Sequence, residues 1–260
     1  MDFSMSAAAQ ELTALTRTIT ADLVDPAVPR AADESGGHSD KLWRALADAG
    51  VIAAATPQPG TQDGLGVQEQ CAVLTELGQV LAPVPLRATT VAGAVLARFG
   101  DAGQQRRWLE PALTGDVILA AAPALTGLGG PATSALTADP LPGGDGAWEL
   151  NGTYDLLTAG MIAGLVVADV QIPDGSALFV IDVTLPGVTL TPQQAVNGSG
   201  AASLELRGVR LSDGDRLDGD TTGHLLALAT VAACAEQTGV LAGGLEVAAA
   251  YTRTLSLIHI

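Results

Sequence analysis

The chain has 260 residues, of which 48% are hydrophobic and only 3% aromatic, and it carries a formal charge of −16 at pH 7. So much apolar material excludes a disordered chain, and the scarcity of rings calls for a core of Ala, Leu and Val, which favours close-packed helices. An acidic surface repels a phosphate backbone, so nucleic acid is excluded as a partner, whereas acidic small molecules need only a local pocket of donors.

In chain order, Ser6 caps a first helix that runs to about Val24, where Pro26 and Pro29 stop it. Residues Ala31 to Gly37 form a polar loop. Ser39 caps a second helix, with Asp40 in its first turn and Leu42, Trp43 and Leu46 on one face, and Gly50 ends it. Thr56 to Gly66 is a Pro/Gly-rich loop. From Val67 the positions Val67, Cys71, Leu74, Leu77 and Leu81 recur at helical spacing, and Pro83 and Pro85 terminate that helix. Leu86 to Phe99 is an apolar helix closed by Gly100. In Ala102 to Leu113, Gln104, Gln105, Arg106 and Arg107 face solvent while Trp108 and Leu109 face the core.

The middle of the chain changes period. Short β-rich runs cover Val117 to Ala122, Ser134 to Asp139, Leu165 to Ile172, Ser176 to Asp182, Val188 to Thr191 and Ala202 to Leu211. Between them, Gly146 to Thr158 reads as two short strands joined by an Asn151-Gly152 turn. Thr222 then opens a long Ala-rich helix through Tyr251. The fold class is therefore α+β and multidomain: an N-terminal helical domain over 1–116, a small antiparallel β domain over 117–212, and the first part of a C-terminal helical bundle over 213–260.

Cys71 and Cys234 lie far apart in apolar helical patterns and read as buried free thiols. His38, His224 and His259 have no ligand spacing, so no metal site is assigned. The Gly127-Leu-Gly-Gly130 run lies between strands and lacks the strand-to-helix setting of a dinucleotide loop. No basic n-region precedes an apolar run at the N-terminus, and Leu225 to Ala235, followed by Glu236-Gln237, is too short for a membrane span.

Three successive segments carry more information: Leu42-Trp-Arg-Ala-Leu-Ala-Asp-Ala-Gly-Val-Ile52, Glu76-Leu-Gly-Gln-Val-Leu-Ala-Pro-Val-Pro-Leu86 and Phe99-Gly-Asp-Ala-Gly-Gln-Gln-Arg-Arg-Trp-Leu109. Together with Trp148-Glu-Leu-Asn-Gly-Thr153, Ala235-Glu-Gln-Thr-Gly239 and Tyr251-Thr-Arg-Thr254, they resemble, in order, the acyl-CoA dehydrogenase family over residues 6–254. The resemblance implies FAD as cofactor, an acyl-CoA substrate desaturated between its α and β carbons, and a soluble homo- or hetero-oligomer in the cytoplasm that passes electrons to an electron-transfer flavoprotein or similar acceptor. It also implies flavin contacts at Leu125 and Thr126 in one strand and at Leu156 and Thr158 in another. Without the resemblance, those threonines are ordinary strand threonines. The Leu-Ala-Pro-Val-Pro-Leu segment is similar to bacterial members that form α2β2 assemblies and act on bulky acyl groups such as steroid side chains.

This chain departs from the family where Thr126-Gly-Leu-Gly-Gly-Pro-Ala-Thr133 replaces a Thr-Glu-Pro and Gly-Ser-Asp group. Leu156 replaces a flavin-side aromatic, and Tyr154 a lysine. Leu225 to Ala233 holds no carboxylate, so no catalytic residue is assigned. Besides a dehydrogenase subunit, a non-catalytic partner subunit and an acyl-binding module without a redox role remain open. The family pattern breaks between Thr254 and Leu255. The expectation is therefore a truncated chain, with Leu255 to Ile260 foreign to the fold, a long helix left without neighbours, and no turnover by the chain alone.

Overall fold

The computed structural model describes residues 4–35, 37–58, 65–124, 136–143, 146–195, 200–219 and 221–258. Helix α1 (Ala7–Leu23) begins where Ser6 Oγ accepts from the Ala9 N–H at 3.0 Å, satisfying one of the otherwise unpaired first-turn donors. The segment expected to be a polar loop is instead α2 (Val28–Ser35), because Asp25 Oδ1 accepts from the N–H groups of Ala27 and Val28 and Pro29 sits in the first turn, where its missing donor costs nothing. Ser39 caps α3 (Asp40–Asp48), and Gly50, at φ +73°, makes the left-handed step into the short α4 (Val51–Ala54).

Helix α5 (Val67–Gln79) is gripped on one side by α1. Ser6 Oγ donates to Glu69 at 2.6 Å, the Gly66 N–H donates to the same carboxylate at 2.7 Å, and Arg17 forms a two-pronged pair with Glu76 at 2.9 and 2.7 Å. The expected apolar stripe of α5 is buried only at its centre, at Leu74 and Leu77. Val67 is exposed, and Leu81 turns out to solvent at φ +52° beyond the helix end.

Helix α6 (Leu86–Phe99) is buried along nearly its whole length. After it, α7 (Ala102–Gln104) and α8 (Glu110–Leu113) are joined by a π-helical stretch at Gln105–Leu109. Gln104, expected at the surface, is buried, and its amide donates to the carbonyls of Gly214 and Arg216, pinning the helices to the far end of the sheet.

The strands are β1 (Leu119–Ala122), β2 (Thr137–Pro140), β3 (Ala147–Leu157), β4 (Leu165–Ile172), β5 (Gly175–Asp182), β6 (Val188–Pro192), β7 (Ala202–Ser212) and β8 (Arg216–Leu217). They form a sheet in the order β6-β7-β3-β2-β4-β5-β8, with β1 paired to β4. The ladders are antiparallel except β1/β4 and β2/β4, which are parallel. The α+β class stands.

The Asn151-Gly152 hairpin does not: β3 runs straight through it. Against β7 the register slips between Leu150 and Gly152, Gly152 takes φ +121°, and Asn151 Oδ1 accepts from the Gly208 N–H at 2.8 Å. The positive φ that suggested a turn serves a bulge, which the asparagine side chain ties off across the ladder.

Strand β4 is apolar on both faces. Leu165 and Val167 join a core shared with α3, α5 and α6, while Val166, Ala168 and Val170 join a second core formed by the strands and their flanks, around Phe179, Leu150 and Leu204.

Helix α9 (Thr222–Ile258) returns across this assembly and packs on α5, α6 and β5. It continues seven residues beyond Tyr251, where the sequence reading ended it. By length and composition Thr222–Thr254 is apolar enough to cross a membrane, a longer apolar run than the one isolated from sequence. Its inner face is nonetheless buried at Leu225, Leu228, Ala232 and Ala235, whereas Leu241, Leu245, Val247 and Tyr251 are exposed.

Helices α5 and α9 run side by side in the same direction at backbone contact. A Cβ at Gly78 would fall on the carbonyl of Glu236, one at Gly239 on that of Thr75, and one at Gly243 on that of Gln79, while a Cβ at Gly244 would meet nothing. Replacing Gly239 by Ala should therefore destabilise the chain by about 1–3 kcal/mol through overpacking. Replacing Gly244 by Ala should stabilise it by about 0.5–1 kcal/mol through helix propensity. Urea midpoints of the two variants test the contrast, and equal shifts would refute the close approach.

Candidate functional site

The space left between the close-packed helices and the sheet is a cavity of about 700 Å³. Its walls come from α2 (Pro29, Arg30) with Gly37, the end of α5 (Leu77, Gly78), the Leu81–Pro85 connection, the first turn of α6 (Arg87, Ala88), the segment after β3 (Thr158, Ala159, Ile162) and α9 (Ala233, Glu236, Gln237, Val240, Leu241). This is a mostly apolar cleft of the size that takes small molecules.

The wall after β3 has unusual backbone. Leu156 and Ala159 both lie in the left-handed region, at φ +59° and +61°, and the β3/β7 register shifts between Tyr154 and Leu157. Conformations that disfavour side chains persist where the surroundings fix them. Here Gln193 Oε1 accepts from the Leu156 N–H at 2.9 Å, and Gly160 packs so closely on Ala202 that any side chain there would collide with it. The result is that Leu156, 57% exposed, stands outward as an apolar platform. Thr158 lines the cavity, and no protein group among the described residues takes up its hydroxyl. An apolar surface beside a free hydroxyl donor fits the face and edge of a flat heteroaromatic ring. Leu125 and Thr126, the other two expected flavin contacts, lie outside the described residues.

The residues leading to Leu125 are anchored. Tyr154 Oη donates to the Pro123 carbonyl at 3.3 Å, and the Ala124 N–H and Ser176 hydroxyl lie near Asp169 of β4 and favour its charged form. Burial pushes the Asp169 carboxyl above the usual carboxylate range, and one of its oxygens is buried without a partner among the described residues. Burial, with the neighbouring Asp169 charge, pushes the Tyr154 phenol up to about 12.

A charged pair in the cavity escaped the sequence reading. Arg87 Nε donates to Glu236 Oε2 at 2.7 Å, joining α6 to α9 inside the cavity wall. Arg87 sits in an apolar helix whose pattern hides it, and Glu236 reads from sequence as the polar end of an apolar run. The signal that could have found them is charge placed on otherwise apolar helix faces. Cys71 and Cys234 are free, as expected, but Cys71 is only half-buried and Cys234 is exposed.

Residues 6–116 match the acyl-CoA dehydrogenase N-terminal domain. Over 259 residues the chain is 37% identical to acyl-CoA dehydrogenase FadE27 of Mycobacterium tuberculosis, covering 98% of this chain and 67% of that protein. The chain belongs to the acyl-CoA dehydrogenase family. Its fold superposes on the ChsE4-ChsE5 complex from Mycobacterium tuberculosis with a TM-score of 0.86 at 33% identity, covering 98% of this chain and 69% of that one. It also superposes on a variant of the Tcur3481-Tcur3483 steroid ACAD with a TM-score of 0.82 at 31% identity, covering 94% of this chain and 66% of that one. The chain thus spans about two thirds of the length of these acyl-CoA dehydrogenases.

Because Tyr154 is held neutral, its contribution to stability is complete below about pH 10, the ordinary phenol range, and is lost as the pH rises towards about 12. Tyr154→Phe should cost about 0.5–1.5 kcal/mol at pH 7 and should flatten the fall in stability between pH 10 and 12. Urea unfolding followed by circular dichroism across that range tests both effects, and a parallel fall in the variant would place the alkaline sensitivity elsewhere.

Proposed function

We propose that this chain is a flavoprotein subunit for α,β-desaturation of an acyl-CoA thioester, cytoplasmic and working in an oligomer with a second acyl-CoA dehydrogenase subunit. The observation that carries the reading is the placement of Thr158 in the wall of a 700 Å³ cavity between the end of β3 and α9. In this reading the domains divide at about residues 116 and 212. FAD, when bound, supplies the acceptor for the hydride that leaves the β carbon.

The chain's own residues have simpler tasks. Thr158 donates a hydrogen bond to the ring edge, Leu156 covers one ring face in place of the family's aromatic residue, and Leu77, Ile162 and Val240 exclude water from the acyl group. Leu125 and Thr126 complete the contacts by family resemblance. Electrons then leave for an electron-transfer flavoprotein or similar acceptor. The assembly is supported by relatives that are two-component complexes by name, ChsE4-ChsE5 and Tcur3481-Tcur3483. The second of these, a steroid ACAD, favours a bulky acyl group.

The reading assigns no catalytic base to this chain. Glu236, the carboxylate that lines the cavity, is tied to Arg87 rather than free to take the α proton. That observation favours a second reading, in which the chain shapes the site while a partner subunit performs the proton transfer.

Flavin absorbance and fluorescence, measured on the chain alone and co-purified with a second acyl-CoA dehydrogenase subunit, test both readings. The assembly should retain FAD, and Thr158→Val should weaken its binding about threefold to tenfold, the worth of one hydrogen bond. An unchanged affinity in that variant would remove Thr158 from the flavin site. Turnover by the flavin-loaded assembly, with none by this chain when it is loaded with FAD alone, would establish the second reading. Acyl-CoA binding without flavin in either preparation would leave an acyl-binding module.

A further inference from the structure

An unbroken pleat in β3 would turn Thr158 towards the sheet core. Along a strand, alternate side chains share a face, so after Tyr154 the next positions on the core side would be Leu156 and then Thr158. The structure differs: Tyr154 and Leu157 lie in the second core, while Leu156 is 57% exposed and Thr158 lines the cavity. The cause is one extra residue. Tyr154 stands opposite Leu204 and Leu157 opposite Ala202, so three steps along β3 match two along β7. A bulge of this kind re-aims the side chains that follow it, and here it turns Thr158 to the cavity.

Bulges whose extra residue takes a left-handed backbone are ordinarily built on glycine. Here that residue is Leu156, at φ +59°. A left-handed backbone costs a leucine roughly five- to thirtyfold in population, and packing offsets little of it at a side chain that stands in solvent. What fixes this end of the wall is hydrogen bonding. Gln193 Oε1 accepts from the Leu156 N–H at 2.9 Å, and Ser203 Oγ donates to Asp155 Oδ1 at 2.9 Å. Gln193 is itself placed by the sheet: it follows Pro192, which stands opposite Ala202 in the β6/β7 ladder, and its N–H donates to the Ala201 carbonyl at 2.9 Å. The far end of the wall is held differently, by the burial of Ala159 and by the Met161 N–H, which donates to the Gly200 carbonyl at 3.0 Å. A hydrogen bond contributes roughly twofold to tenfold, so the Gln193 bond is of the size needed to offset much of the leucine's penalty.

We propose that Gln193 is a positioning residue for the cofactor wall: its side-chain carbonyl locks the bulge at Leu156, and the locked bulge aims Thr158 into the cavity. Gln193 is not among the residues that line the cavity, so it acts through Thr158. The requirement is for an acceptor at this reach and not for an amide, so glutamate can replace it and leucine cannot. The inference rests on the reading of Thr158 as a flavin contact and adds the residue that sets its direction.

The lock is tested without flavin, by amide hydrogen exchange at Leu156 in the full chain followed by NMR. Exchange should quicken about twofold to tenfold in Gln193→Leu, the worth of the lost bond, and should stay near the wild-type rate in Gln193→Glu. The consequence is tested on the assembly with a second acyl-CoA dehydrogenase subunit, by titrating FAD and following its fluorescence. Gln193→Leu should weaken FAD binding about threefold to tenfold and Gln193→Glu should preserve it, whereas Gln193→Leu added to Thr158→Val should cause no further loss, because both changes remove the same contact. Circular dichroism confirms that each variant is folded. An unchanged Leu156 exchange rate in Gln193→Leu overturns the lock. A loss of affinity that persists in full on top of Thr158→Val, or no loss in Gln193→Leu where Thr158→Val alone shows one, overturns the positioning role while leaving Thr158 a flavin contact. An FAD affinity that Thr158→Val leaves unchanged overturns the flavin reading of Thr158, and this inference with it.

Discussion

The close approach of α5 and α9 is the constraint on which the rest of the structure depends. Glycines at 78, 239 and 243 let the two backbones touch, and Thr75 Oγ lies 2.8 Å from the Cys71 carbonyl and 3.2 Å from that of Ala235, sharing its one proton between the two helices. Contact at this distance turns dispersion between main-chain atoms into the principal attraction and leaves little tolerance for sliding. Because α1 grips the opposite side of α5 through Glu69 and Glu76, the three helices form one rigid wall. Burial alone would raise the Glu69 carboxyl, but Ser6 and the Gly66 N–H hold it below the usual carboxylate range, so this grip is fully present above that range and loosens as the pH falls through it.

That rigidity defines the cavity. Beside the glycine contact, Leu77, Val240 and Leu241 line the cavity, and the segment after β3 contributes another side through Thr158 and Ile162. The Arg87–Glu236 pair crosses from α6 to α9 at the same level, so a polar tie holds together elements that elsewhere meet through apolar contacts. Shape and polarity of the site thus have one source, the spacing of α9 against its two partners.

The regular elements were legible in the sequence because their patterns are local. Leu165 to Ile172 is an apolar run bounded by turn residues, and Leu86 to Phe99 is bounded by Pro85 and Gly100, so both boundaries could be read directly. Asn151-Gly152 misled for the same reason. The dipeptide reports a need for positive φ, which a bulge and a hairpin share, and only the cross-strand bond to Gly208 distinguishes them. The α2 helix was hidden by Pro29, whose position in the first turn depends on the Asp25 cap. Of the flavin contacts expected from family resemblance, Thr158 reaches the cavity wall, whereas Leu156 is exposed and not among the residues that line it. Arg87 and Glu236, separated by 149 positions, meet only through tertiary packing that no local pattern encodes.

Helix α9 also carries a gradient of local stability. Its first half has buried side chains at regular intervals from Leu225 to Ala235, whereas beyond Gly243 its ties thin to contacts such as that of Gln79 with Glu246, and Leu245, Val247 and Tyr251 are exposed. An isolated helical segment of that length is marginal in water, because nucleation is costly and propagation gains little for each residue. Amide protons near Leu228 therefore exchange only when the helical wall as a whole comes apart, and those near Tyr251 exchange through fraying of a turn or two. One continuous helix thus belongs to two cooperative units, and the junction between them lies at the same glycines that allow the close approach.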